Sequence, residues 1–212
     1  GLRVTDKDTI DLVEMVLTGL VGKEIVARMN QEGGKAVSLA GKDGNLIRAR
    51  KLMHRSVADP DNEIDIGYVG AVESINPEVL MCLEKGGFIP VISPLGVGPD
   101  GHAYNINADT IAGEIAAALH AERLILLSDI PGVLKDVKDP NSLLTSLTVR
   151  ETGELIASGT AEGGMIPKLK ACLRGLGGGV KKAHIIDGRT PHSVLLELFT
   201  DTGVGTQIFP DT

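Results

Sequence analysis

The sequence predicts an α/β protein, a three-layer αβα sandwich on a mostly parallel central sheet. Three observations predict it. Short apolar runs such as FIPVIS at 88–93 and LILL at 124–127 read as buried strands. Between them lie stretches whose apolar residues recur every three or four positions, the signature of a helix with one buried face. Glycine-rich turns mark most of the changeovers, and strand and helix patterns alternate along the whole chain with no linker, repeat or low-complexity tract.

The elements follow in order. Thr5 stands three residues before Asp8, a capping-box pattern that opens a helix. Ile10, Val13, Leu17, Leu20 and Val21 continue it, with Ile25, Val26 and Met29 extending the stripe; Met15 and the Val13–Leu17 stripe read as core packing. Gly33-Gly34 ends the helix. Strands are predicted at 35–39 and 46–51, joined by the turn Lys42-Asp43-Gly44-Asn45. Residues 53–65 are polar and read as a surface loop, and 66–74 as a strand. Asn76-Pro77 opens a helix that ends near Gly86-Gly87. FIPVIS is then expected to be buried on both faces, and a small ribbon turns at 98–101. An alanine-rich helix spans 108–120, a strand 124–127, and a polar loop 135–141. Helices at 149–157 and 167–176, a strand at 184–186, a helix at 193–199 and a strand at 206–209 complete the chain.

Composition excludes several functions. The formal charge of −7, from 21 basic and 28 acidic residues, argues against nucleic acid as the main ligand. Two Tyr, three Phe and no Trp leave few surfaces on which bases could stack. No apolar run is long enough for a membrane span. The first residues form neither a signal nor a transit peptide, and the missing initiator Met leads us to expect an upstream segment. Cys82 and Cys172 form no CxxC pair and read as thiols in a reducing cytosol. The five His show no ligand spacing, so no metal site is expected.

In open α/β sheets ligands collect where strands end and helices begin. Three segments fit that position. Tyr104-Asn105-Ile106-Asn107-Ala108-Asp109 places two amides and an acid before the alanine-rich helix, where capping needs only one of them. Leu127-Ser128-Asp129-Ile130-Pro131-Gly132 ends a strand in a hydroxyl, a carboxylate and a turn; these residues are also ordinary turn formers. Gly163-Gly164-Met165-Ile166-Pro167-Lys168 lets backbone approach a ligand and then puts Lys168 in a first helical turn, against the dipole. An anionic ligand explains that placement, and a solvated lysine competes with it. The spacing of a Walker A loop is absent, as are a GxGxxG turn and a Ser-His-Asp set.

At these motifs the chain resembles the acetylglutamate kinases of the amino-acid kinase family. The resemblance runs from Gly1 to about Phe209 and rests on GLRVTD (1–6), GGKAVSLAGKDGNLI (33–47), YNINADT (104–110), LILLSDIPGVL (124–134), GGMIPK (163–168), IIDGRTPH (185–192) and LLELFTDTGVGT (195–206). It implies ATP-dependent phosphorylation of the side-chain carboxylate of N-acetylglutamate in arginine biosynthesis, with Mg²⁺ carried by the ATP. Residues 1–212 would form one amino-acid kinase domain, with roughly 1–105 as the substrate-binding and dimerisation half and 106–212 as the nucleotide half. Arg3 and Asn105 would bind substrate. Lys168 would neutralise the moving phosphoryl group, and Asp109 would hold the catalytic lysines. Ser128, Asp129, Gly164 and Met165 would line the nucleotide site. His184, Glu197 and Gly203 match the positions around arginine in the family's arginine-inhibited members.

The family also carries a lysine-bearing strand and glycine-rich loops that would precede Gly1. The fold is therefore expected to be N-terminally incomplete, and these 212 residues alone to be inactive. A homodimer or higher homo-oligomer is expected, in the cytoplasm or a plastid stroma, with no nucleic-acid or membrane partner. The competing readings are another amino-acid kinase and a non-catalytic arginine-sensing module.

Overall fold

Asp6, rather than Thr5, opens the first helix. In the computed structural model, which describes residues 4–55, 63–139, 141–201 and 203–211, Asp6 Oδ1 accepts the Thr9 N–H at 2.8 Å. Thr5 cannot serve as the cap because its backbone joins a strand: its N–H donates to Ile66 O at 3.0 Å and its carbonyl accepts from Tyr68 N at 2.7 Å. Arg3 lies outside the described residues.

The described chain divides into two units, 1–108 and 109–212. In the first, α1 (Lys7–Glu14) passes through a π-helical segment (Met15–Val21) into α2 (Gly22–Gln31). A residue in this wider turn advances less around the axis than in an α-helix, so the apolar stripe drifts off the core. Ile10 is buried, but Met15 is 60% exposed and Leu12, Val16, Leu20 and Ile25 are also open. The stripe is therefore only partly core, contrary to its periodicity.

Strand β1 (Ala36–Leu39) pairs in parallel with β4 (Ile89–Ile92), from Ala36↔Ile89 to Leu39↔Ile92. No other strand flanks β4 among the described residues. Phe88 and Ile89 are exposed, so FIPVIS is not covered on both faces. Strands β2 (Ile47–Arg55) and β3 (Glu63–Ile75) form a long antiparallel hairpin with pairs such as Met53↔Asp65 and His54↔Ile64. These residues, read as loop from their polarity, are strand because ladder hydrogen bonds do not depend on side-chain polarity at a solvent-facing position. After α3 (Glu78–Lys85), β5 (Leu95–Val97) and β6 (Ala103–Asn105) make the expected ribbon. Together β2, β3, β6 and β5 close into a small barrel.

The second unit opens with α4 (Ala108–Ala118) and β7 (Arg123–Ser128), followed by β8 (Ser146–Thr148), α5 (Val149–Ala157), α6 (Met165–Gly177), β9 (Lys182–Asp187), α7 (Ser193–Phe199) and β10 (Thr206–Phe209). The three-residue β8 is too short to show a period in the sequence. The sheet order is β7-β9-β10-β8. β7 and β9 run parallel in register from Arg123↔Lys182 to Ser128↔Asp187. β10 is antiparallel to β9 and parallel to β8. Its core holds Leu124, Leu126, Leu169, Cys172, Ile185 and Ile208. The parallel ladders bear out the α/β class.

Buried Thr206 ties the loop after β7 to this sheet. Its Oγ1 accepts from Val133 N at 2.8 Å and donates to Leu144 O at 2.6 Å. Leaving such buried groups unpaired costs about 1–3 kcal/mol each, so the loop that carries Ser128 and Asp129 is held at its far end.

Candidate active site

Connection lengths decide which groups share an edge. α4 ends at Ala118 and β7 starts at Arg123, while α6 ends at Gly177 and β9 starts at Lys182. Each short reversal sets the helix antiparallel to the strand that follows it. Since β7 and β9 are parallel, the N-termini of α4 and α6 lie at the edge where both strands end. Ligands of open α/β sheets bind at that edge.

Asp109 stands in the first turn of α4 and Lys168 in the first turn of α6. Lys168 Nζ donates to Asp109 Oδ1 at 3.0 Å and Oδ2 at 3.1 Å. Both side chains are 19% exposed. An acid at a helix start is favoured by the dipole and a lysine opposed, each by about 0.3–1 kcal/mol. The lysine is thus held in an unfavourable place by its carboxylate partner, with a face still open to solvent. Gly163 (φ +52) takes a left-handed conformation just before α6, and a Cβ on Gly164 would meet nothing within 4 Å. The helix start is therefore unobstructed, as close approach of a phosphate requires.

Cys172 lies one turn further along α6. Burial, and then the Asp109 charge, push its thiol up to about 12. It stays a neutral packing group, as its isolated place in the sequence suggests.

At the strand ends, Ser128 Oγ donates to Asp129 Oδ1 at 3.4 Å. The neighbouring strand adds a pair that sequence reading passed over. Asp187 Oδ1 and Oδ2 accept from Arg189 Nε at 2.9 Å and Nη2 at 2.8 Å. Arg189 also feels the charge of Asp129. The available signal was that an acid stands at or just past the end of both parallel strands, SD at 128–129 and ID at 186–187. Gly164 and Met165 sit at the start of α6 on this same edge. Asn105, at the end of β6, belongs to the first unit, and its strand partners are Val69 and Leu95. Among the described residues, no group of three or more His, Cys, Asp or Glu is placed to hold a metal ion. No helix among them is long and apolar enough to cross a membrane.

His184, Glu197 and Gly203 come together elsewhere in the unit. His184 Nδ1 lies 2.7 Å from Glu197 Oε1, and both residues are buried. Glu197 Oε2 accepts from Val204 N at 2.7 Å and Gly205 N at 3.0 Å. A Cβ on Gly203 would lie 2.6 Å from that same oxygen. His184 and Glu197 border a cavity of about 180 Å³ that is also lined by Arg123, Lys182, Asp201 and Gln207.

Two helix starts bearing a paired lysine and acid over parallel strand ends make a ligand-site geometry of open α/β enzymes, and comparison with known proteins gives the class. The amino acid kinase family model matches residues 2–187, and the chain belongs to that family. Within it, the chain is a kinase of the acetylglutamate kinase type: it is 56% identical to the acetylglutamate kinase of Moorella thermoacetica over 211 residues, covering 99% of this chain and 71% of that protein. Among solved structures, a protein of Streptococcus mutans UA159 superposes with a TM-score of 0.79 at 33% identity, covering 100% of this chain and 76% of that one. N-acetylglutamate synthase of Neisseria gonorrhoeae, complexed with coenzyme A and N-acetyl-glutamate, gives 0.84 at 26% identity over 100% and 46%.

The Arg189 guanidinium holds the Asp187 carboxyl down at about 2, from an ordinary 3.8. Because the folded value is depressed, the pair's contribution is present above the ordinary carboxylate range and is lost as pH falls through about 2. In Arg189→Ala the Asp187 carbon resonance should titrate at higher pH in an NMR series, only part of the way back, because the backbone N–H of residue 189 still donates to Asp187 Oδ1 at 2.9 Å. An unmoved midpoint would show that the ion pair is not the cause.

Proposed function

We propose that this chain transfers the γ-phosphoryl group of ATP to the side-chain carboxylate of N-acetylglutamate, a step of arginine biosynthesis. The observation that carries the reading is the Lys168–Asp109 pair, set between two helix starts at the strand-end edge. A carboxylate oxygen of the substrate attacks the γ-phosphorus, the bond from that phosphorus to the β–γ bridging oxygen breaks, and ADP leaves. Negative charge crowds around phosphorus during this exchange, and fixed positive groups supply most of the rate. Lys168 is the positive group here, and Asp109 keeps its ammonium aimed at the edge. The positive end of the α6 dipole, with Gly164 and Met165 at the helix start, favours phosphate oxygens there, and Ser128 and Asp129 contact the nucleotide. Mg²⁺ arrives on ATP and neutralises its phosphates. Asn105 and Arg3 are assigned to the substrate, Arg3 as a two-pronged partner for a carboxylate.

The 212 residues alone are expected to be inactive, so the test is an assay of this chain within a polypeptide of its relatives' full length, in which the acyl phosphate product is trapped with hydroxylamine. N-acetylglutamate should react in preference to glutamate, aspartate and carbamate, and Lys168→Met should lower kcat by about 100-fold or more. Preference for another acceptor, or full turnover by the variant, would overturn the assignment.

Feedback inhibition by arginine belongs to the same reading. The cavity beside His184, Glu197 and Gly203 carries the cations Arg123 and Lys182 and the acid Asp201, which suit the carboxylate and cationic end of a free amino acid. Glu197, already accepting three hydrogen bonds, shapes the cavity while Asp201 meets the ligand. Calorimetry should detect arginine binding to the chain, weakened about tenfold or more in Asp201→Asn; equal affinity of both proteins would remove Asp201 from the site. The exposed apolar side chains of α1, the π segment and α2 support a homodimer formed through the first unit. A single monomeric species in sedimentation at micromolar concentration would rule it out.

A further inference from the structure

The contact between α4 and α6 recurs at every turn. Asp109 meets Lys168 at 3.0 Å. One turn on, a Cβ at Gly113 would lie 2.6 Å from Ala171 O, 3.0 Å from its Cα and 3.1 Å from its carbonyl carbon. Next, Glu114 Oε1 accepts from Arg174 Nε at 2.9 Å. Past the end of α6, a Cβ at Gly178 would lie 2.3 Å from Ala117 Cβ. Partners rise together in number along both helices, so the two run side by side in one direction. Gly113 is the point where backbone packs directly on backbone.

We propose that Gly113 is a positioning residue for phosphoryl transfer: by having no Cβ it sets the depth at which α4 and α6 meet and so the place of Lys168 Nζ and the Asp109 carboxylate. This rests on Lys168 and Asp109 being the catalytic pair. The obstacle a side chain would meet consists of main-chain atoms of a helix interior, which cannot swing aside as a side chain can. A methyl group there forces the helices apart by several tenths of an ångström, one turn below the pair. The lysine stem is flexible enough to keep its ion pair, but the pair then sits elsewhere relative to the edge. A displacement of about 1 Å at reacting groups can cost around 100-fold in rate. Two helix glycines of the same unit lack this constraint: a Cβ on Gly153 would meet nothing, and one on Gly175 would come no closer than 3.3 Å to Leu124 Cδ2, 3.5 Å to Val180 Cγ2 and 3.9 Å to Gly113 O.

The experiment uses the same full-length polypeptide with Gly113→Ala, Gly175→Ala, Gly153→Ala and Lys168→Met, measuring kcat and KM for both substrates beside circular dichroism and thermal melting. Gly113→Ala is expected to stay folded and to lose about 10- to 100-fold in kcat with KM values within about threefold. Gly175→Ala and Gly153→Ala should keep wild-type kcat. Adding Asp109→Glu, one methylene longer, should cost less kcat in the Gly113→Ala background than in wild type, because the longer arm spans the wider gap. The proposal falls if Gly113→Ala keeps wild-type kcat, if it fails to fold, if its loss tracks the unfolded fraction, or if the two substitutions are strictly additive. Should Lys168→Met itself leave turnover intact, the catalytic reading fails first, an outcome separable from the other four.

Discussion

A lysine in the first turn of a helix works against the helix dipole, and in this protein one carboxylate from a second helix start keeps it there. The position of that ion pair depends on how closely α4 and α6 approach. The closeness depends on small residues, Gly113 and Ala117 facing Ala171 and Gly178. The same seam packs α6 against β7 and β9 through Leu169 and Cys172, so the charged end of the seam and its apolar body are one unit of packing. Side chains in a core move little without cost. The placement of the Lys168 charge at the strand-end edge is therefore inherited from the depth of a helix–helix contact.

The edge at which this pair sits also collects acids. Ser128 and Asp187 end adjacent parallel strands and Asp129 follows the first, while Arg189 pairs with Asp187 and also interacts with the Asp129 charge. The second polar centre, around His184 and Glu197, has a different character. Arg123 Nη1 lies 3.5 Å from His184 Nε2. An arginine can only donate, so any interaction there needs a lone pair on Nε2, which leaves the proton on Nδ1 to be donated to Glu197. Glu197 then accepts hydrogen bonds from this N–H and from two backbone N–H groups. Its carboxylate ties α7, β9 and the turn before β10 into one corner, with Gly203 packed where a side chain would strike it.

Much of this could be read from residues alone. Alternation of apolar runs with helical periodicity gave the α/β class. Helices α5 and α7 and strand β10 match their expected limits, because capping residues and turns write local boundaries directly into sequence: Thr148 and Glu151 form a reciprocal cap at α5. Lys168 drew notice through a conflict with its own helix dipole. The misses have physical causes. Thr5 lost the cap to Asp6 because a strand claimed its backbone, the π segment turned an apolar stripe partly outward, and residues of the β2–β3 hairpin were hidden by their polarity.

What the sequence determined by itself is local: where helices begin, which runs become strands, and which residues are chemically out of place. Only tertiary structure decided which of these meet. Asp109 and Lys168 are separated by 59 residues, and nothing in either segment encodes the distance between them. That distance follows from two short reversals onto parallel strands and from a backbone contact that only a missing side chain allows, and both are properties of how the elements pack.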